Sequence, residues 1–243
     1  MIEWPDGYDR VTHLTIDSTN REASRQAAET NKPTWIFADE QTAGVGRRGR
    51  KWSSPKGNFS STLLMPIEGN LSTVALHSFV ASLALRDSLV HITRDPKRFN
   101  LKWPNDVLMD GCKVAGILLE TSGVGPSHLN IGIGVNLSTL PESDTIEIGS
   151  TPPICLDINI IPLDFLTILA NFFATRLIQY QNFGFEVIRM DWLKNAANIG
   201  KTITAKMPNA QIVGKFVTVD EQGAVVLQTG DVRRIVHAAD IFF

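Results

Sequence analysis

Apolar residues at Val11, Leu14 and Ile16 predict a short strand near the start of the chain. After it, Thr19 and Glu22 stand three residues apart as a capping box, and Ala23, Ala27 and Ala28 supply the thin apolar face of a helix. Trp35–Ala38 reads as a buried strand. A long Gly/Arg/Ser/Pro loop follows from Glu40 to Asn58, then a strand from Phe59 to Met65 closed by Pro66. Leu71–Ile92 carries Leu71, Val74, Ala75, Phe79 and Leu83 at helical spacing and predicts one helix.

From Asn100 the period changes to that of strands. Val107–Met109, the turn Asp110-Gly111 and Cys112–Glu120 predict a hairpin. Leu129–Leu137 predicts another strand, rich in glycine where a backbone must approach something closely. The segment 138–153 reads as a surface loop, and helices are expected around Leu163–Tyr180 and Phe185–Asn195. Past Gly200 only short strands remain: TITAKM, QIVGKFVTVD, AVVLQ and RRIVHA. The shift divides the chain into a large unit, 1–196, and a small β-barrel-like unit, 197–243, about as small as a domain with its own core can be. Strands alternating with helices and then running in hairpins imply an α+β fold, a mixed sheet with helices packed on it, rather than a doubly wound sheet.

Composition narrows the partners. The 243 residues have a formal net charge of −2, so no whole-chain field draws the protein onto nucleic acid or an acidic membrane. Any anion site must be a local cluster. No apolar run approaches the ~18 residues of a membrane span, and the acidic, proline-containing N-terminus does not read as a signal peptide. Cys112 and Cys155 stand at no metal-ligand spacing, so two reduced thiols in a cytoplasmic protein are expected. The five histidines form no ligand pair.

The local cluster lies in that long loop. GVGRRG, Gly44–Gly49, fits G-x-G-x-x-G, but RKWSSPKGN follows instead of a helix that would receive a pyrophosphate. Walker A fails as well, because no Gly-Lys-Ser/Thr follows. What remains is Arg47, Arg48, Arg50 and Lys51 between glycines that let backbone N–H groups near an anion, with Trp52 as a flat aromatic beside the guanidinium groups. A solvated basic loop is the ordinary reading of such a run. The glycines and the tryptophan favour a nucleotide; a single nucleic acid strand suits the same chemistry but not the neutral overall charge.

A second constellation is Lys102-Trp103-Pro104-Asn105-Asp106. Asp106 is a candidate Mg²⁺ ligand and Asn105 a candidate to orient a phosphate; a turn with surface charges is the plainer alternative. Lys113 enters an otherwise apolar strand, where simple alternation places it on the face of Ala115. It either points to water at the hairpin end or reaches an anionic ligand over the sheet.

Together these segments resemble the biotin–protein ligases. The resemblance rests on DSTN at Asp17–Asn20, QTAGVGRRGRKW at Gln41–Trp52, KWPNDV at Lys102–Val107, KVAGILLE at Lys113–Glu120 and GIGVNL at Gly132–Leu137, in the family's order and with similar spacing. It implies a class II synthetase-like biotin/lipoate ligase catalytic domain with an SH3-like C-terminal module. It implies a two-step reaction too: biotin and MgATP give biotinyl-5′-AMP, and a lysine of a biotin carboxyl carrier domain then takes the biotinyl group. By the same resemblance Ser18, Thr19, Asn20, Gln41, Gly44, Val45, Gly46, Arg47, Lys113 and Gly116 contact biotin. Arg47, Arg50, Trp52, Lys102, Asn105, Asp106, Lys113 and Asn136 contact ATP or the adenylate, with Trp52 packing on adenine. Arg47 and Lys113 are expected to carry the catalytic charge.

Val45 departs from the family, many of whose members have arginine there. The matching region begins almost at Met1, so the short form without a DNA-binding domain, and no transcriptional role, is expected. Monomer and homodimer read alike. The nearest rival is a lipoate–protein ligase or octanoyltransferase of the same fold.

Overall fold

The protein is described from a computed structural model, covering residues 2–67, 71–123, 127–141, 151–156 and 158–243. Seven strands form the main sheet: β1 (Asp9–Ile16), β2 (Thr34–Gln41), β3 (Phe59–Pro66), β4 (Phe99–Lys102), β5 (Asp106–Met109), β6 (Cys112–Ser122) and β7 (His128–Val135). Their order is β1-β2-β3-β7-β6-β5-β4, parallel between β1 and β2 and antiparallel elsewhere. This is the mixed sheet expected.

Both faces of the sheet are covered, which is why β2 and β3 are buried almost end to end. On one side lies α1 (Thr19–Gln26), whose Ala23, with Ala27 just past its end, packs with Ile36 and Leu64. The other side receives α3 (His77–Thr93), α4 (Pro162–Phe183) and α5 (Phe185–Lys194). There the T-shaped pairs Trp35–Phe173, with centroids 5.8 Å apart, and Phe59–Phe165, 5.0 Å apart, pin α4 to the sheet.

Two local expectations are corrected. Ser18, not Thr19, precedes α1, and it makes no side-chain cap bond. The Thr19 hydroxyl is engaged by tertiary partners instead, and Glu22 pairs with Arg25. The single helix expected over Leu71–Ile92 is two, α2 (Leu71–Val74) and α3. Three-residue hydrogen bonds, Ser78 N to Ala75 O and Phe79 N to Leu76 O, tighten the backbone between them. The segment 142–150 of the expected surface loop lies outside the described residues.

The C-terminal strands β8 (Thr202–Met207), β9 (Ala210–Val219), β10 (Val225–Thr229), β11 (Val232–Val236) and β12 (Asp240–Phe242) form an antiparallel sheet ordered β11-β10-β9-β8-β12. The expected barrel is therefore an open five-stranded sheet, with β11 and β12 at opposite edges. β12 was not foreseen; its Asp240 meets Arg48 and Arg50, the preceding Ala239 O accepts from Arg47, and at the β9–β10 turn Gly223 O accepts from Trp103 Nε1 at 2.8 Å. Among the described residues no helix is long and apolar enough to cross a membrane.

Candidate active site

Fifteen of the sixteen residues singled out for biotin or nucleotide line one cleft over β6 and β7, walled by the Gln41–Ser54 segment and by β12; the exception is Gly44. A Cβ at Gly44 would sit 2.5 Å from Trp52 O, so this glycine permits the closure of the segment and does not face the cleft.

The Glu40–Asn58 loop is more ordered than its composition suggests. Val45 and Lys51 pair as an antiparallel bridge, Gln41 pairs with Ser54, and Trp52 N donates to Gly44 O at 2.9 Å. The turn passes through Arg48 and Gly49, both at positive φ, where glycine is the residue that fits without strain. Gly46 N donates to Arg50 O at 2.7 Å, so that amide serves the hairpin and not an anion. The cations, not this glycine, are left to meet the ligand.

Along the β6–β7 ladder the chemistry changes in order. At the Gly132–Leu118 pair sits a hydroxyl–amide cluster. Gln41 Oε1 accepts from Thr19 N at 2.8 Å and from Thr19 Oγ1 at 3.1 Å, and Gln41 Nε2 donates to Ser54 Oγ at 2.8 Å. Thr62 Oγ1 lies 2.8 Å from Thr19 Oγ1 and 2.6 Å from Asn20 Oδ1, while Asn20 Nδ2 donates to Glu120 at 2.8 Å. Ser18, Thr19 and Asn20 are buried, so these orientations are held from beneath. A Cβ at Gly132 would collide with Asn20.

One step along, Gly116 pairs with Gly134, and the Trp52 indole rests on this glycine floor. Any side chain at Gly134 would occupy the indole's position. Lys113 Nζ lies 5.6 Å from the Trp52 ring centroid and 2.6 Å from Asp106 Oδ1. Lys113 thus reaches over the sheet, and the water-facing alternative fails. The reason is a β-bulge: Leu108 pairs with Lys113, but Val107 pairs with Ala115. Val114 is the extra residue, and it moves Lys113 off the core face of Ala115 and onto the cleft face of Gly116.

Beyond Lys113 come the remaining cations. Trp103 and Pro104 are joined by a cis peptide bond, and Asn105 Nδ2 donates to Ile117 O. Asn105 Oδ1 in turn accepts from Arg47 at 3.2 Å. Lys102 Nζ donates to Thr151 Oγ1 at 2.6 Å and sits 4.9 Å from the Phe243 ring centroid. Burial pushes the Lys102 ammonium below the usual lysine range, against the pull of Asp106. Burial also lowers Arg47, more than Asp240 and Asp106 restore. Asn136 Nδ2 donates to Ile154 O at 3.2 Å, which fixes its amide in the wall.

The group that sequence reasoning missed is Asp240. Its carboxylate accepts from Arg48 at 2.8 Å and from Arg50 at 3.0 Å, with Arg47 3.7 Å away. A lone acid in AADIFF, 190 residues from its partners, gave no local signal.

A cleft floored by glycines, polar at one end and cationic at the other, on a mixed sheet with a small β module along one wall, suits an extended ligand with a neutral polar head and an anionic end. Residues 11–136 match the Biotin/lipoate A/B protein ligase family, and residues 199–243 match the Biotin protein ligase C terminal domain. A biotin–[acetyl-CoA-carboxylase] ligase of Paracoccus denitrificans is 43% identical over 93% of this chain and 97% of its own length. The bifunctional ligase/repressor BirA of Bacillus subtilis is 29% identical over 97% of this chain and 74% of its own. The biotin protein ligase of Aquifex aeolicus, solved in complex with biotin and ATP, superposes with a TM-score of 0.80 at 25% identity, covering 96% of this chain and 97% of that one. The chain belongs to the biotin–protein ligase family.

Proposed function

We propose that this enzyme activates biotin with ATP as biotinyl-5′-AMP and passes the biotinyl group to a lysine of a biotin carboxyl carrier domain. The order of chemistry along the β6–β7 ladder supports this reading. Biotin has a neutral ureido head, an aliphatic arm and a carboxylate. The hydroxyl–amide cluster of Ser18, Thr19, Asn20 and Gln41 suits the head, the Trp52 indole lying on the glycine floor offers an apolar surface to the arm, and Lys113 with Arg47 suits the carboxylate.

Activation drives a carboxylate oxygen onto the α-phosphorus, two anions that repel. Two unit charges ~4 Å apart interact by about 4 kcal/mol at an effective dielectric of 20, so fixed cations remove a substantial part of the barrier. Lys113 and Arg47 supply that charge; Lys102, Arg50 and Asn136 line the nucleotide side, with Trp52 against the base. Asp106 presents a single carboxylate already held by Lys113, and no cluster of three metal-ligating groups occurs among the described residues. That donor set suits Mg²⁺ carried in on the triphosphate, with Asp106 as one ligand. In the second step the carrier amine attacks the carbonyl and AMP leaves. The free thiols Cys112 and Cys155 fit a reducing, cytoplasmic setting.

Exchange of labelled pyrophosphate into ATP tests the reading, run with biotin, lipoate, octanoate or no acid. Exchange that requires biotin is expected. Exchange indifferent to biotin sinks it, and exchange driven by lipoate or octanoate redirects it to the rival ligase.

A further inference from the structure

We propose that Asp240, from the edge strand of the C-terminal sheet, is a positioning residue that latches the arginine hairpin over the adenylate and so controls its release. The proposal rests on the biotin-activating reading above. Three guanidinium groups from one turn, those of Arg47, Arg48 and Arg50, converge on this carboxylate. The neighbouring Ala239 carbonyl accepts from Arg47 at 3.3 Å, so the entry to β12 holds the hairpin by two acceptors. The hairpin and β12 are opposite walls of the same cleft, and the contact closes one against the other.

The charges of the ligands say when the latch matters. ATP brings a triphosphate, which draws the arginines by itself. After pyrophosphate leaves, the adenylate keeps a single phosphate charge, too little to gather several guanidinium groups. A fixed carboxylate then supplies what the departed phosphates supplied, and the hairpin stays shut over a hydrolysable mixed anhydride. Asp240 should therefore affect retention of the intermediate more than capture of ATP. Its partly exposed ion pairs should also make retention sensitive to salt.

The test compares wild type, Asp240→Asn and Asp240→Glu. Labelled biotinyl-adenylate is formed on the enzyme from biotin and ATP, then chased with unlabelled adenylate at low and high salt. In Asp240→Asn release should quicken by about three- to tenfold at low salt, the size that partly exposed ion pairs support. The KM for ATP should not rise, and biotin should spread to non-carrier lysines. Wild-type release should quicken with salt while the Asn variant changes little, and Glu should restore most of the retention. Unchanged release in Asp240→Asn overturns the proposal. So does a parallel loss of ATP affinity, or wild-type retention indifferent to salt, since either reduces Asp240 to a structural contact. A wild-type enzyme that forms no adenylate refutes the biotin-activating reading and not the latch.

Discussion

Arg47 and Arg176 are the same residue type, both largely removed from water, and their guanidinium groups are pushed in opposite directions. Arg176 joins α3, α4 and α5, pairing with Asp87 at 2.7 Å and with Asp191 at 2.8 Å. Burial opposes its charge, but the two carboxylates outweigh burial and raise it. Arg47 instead leans on neutral acceptors, Asn105 Oδ1 and Ala239 O, with Asp240 3.7 Å away, and burial wins. The first cation is fully compensated inside the protein. The second is held in place but under-compensated, which is the condition of a group that awaits an anion. Compensation, more than charge or burial, distinguishes these two cations, and it fits the ligand-facing role proposed for Arg47.

Substitutions on the two sides should separate cleanly. Lys113→Ala, on the ligand side, should slow single-turnover adenylate formation on the order of 10²–10³-fold, the cost of losing a fixed charge at the reacting centre. Its unfolding midpoint should fall only modestly, as Asp106 loses its partner, and an unchanged rate would remove Lys113 from the catalytic residues. Arg176→Met should do the reverse. It strands Asp87, whose carboxyl burial already raises, and should cost about 2–3 kcal/mol in denaturant unfolding with kcat near wild type. A large loss of activity at full stability there would collapse the distinction.

Smaller effects sharpen it. Arg47→Gly should release adenylate about tenfold faster, seen as labelling of non-carrier lysines. The smallest is a pH effect. Because Lys102 is depressed by burial, ATP affinity should fall as pH rises through its lowered pKa, below the usual value of 10.5. The sign for stability is opposite. Between the lowered and the usual pKa the unfolded chain holds the extra proton, so folding stability gains as pH rises. A KM for ATP that rises a few-fold without loss of stability is expected, and Lys102→Arg should move that limb upward. A limb unmoved in that variant would assign it elsewhere.

Much of this was legible beforehand because it is local. Asp110-Gly111, both at positive φ, made the β5–β6 turn readable, and the runs at Gln41–Trp52 and Lys102–Asp106 announced their chemistry. What escaped depends on distant partners. Thr19 looked like a cap until Gln41 and Thr62 were seen to occupy its hydroxyl. Asp240 had no pattern to belong to, and its meaning comes from three arginines on a distant turn of the chain. Lys113 fell between these cases. Its residue type was informative, but alternation assigned it to the wrong face.

That last error concerns parity. In a strand, odd and even positions belong to different worlds, one oily and one wet, and a single inserted residue exchanges them for everything upstream. Val114 is that inserted residue. Deleting it would leave Lys113 next to Ala115 and still opposite Leu108, so a regular ladder would keep its ammonium on the cleft face beside Asp106. The bulge is therefore slack in the chain: β6 can lose a residue there without turning its upstream face over, which a regular strand cannot do. A single-residue deletion scan of β6 should find adenylate formation better retained at Val114 than at positions past the bulge, because Lys113 stays set against Asp106.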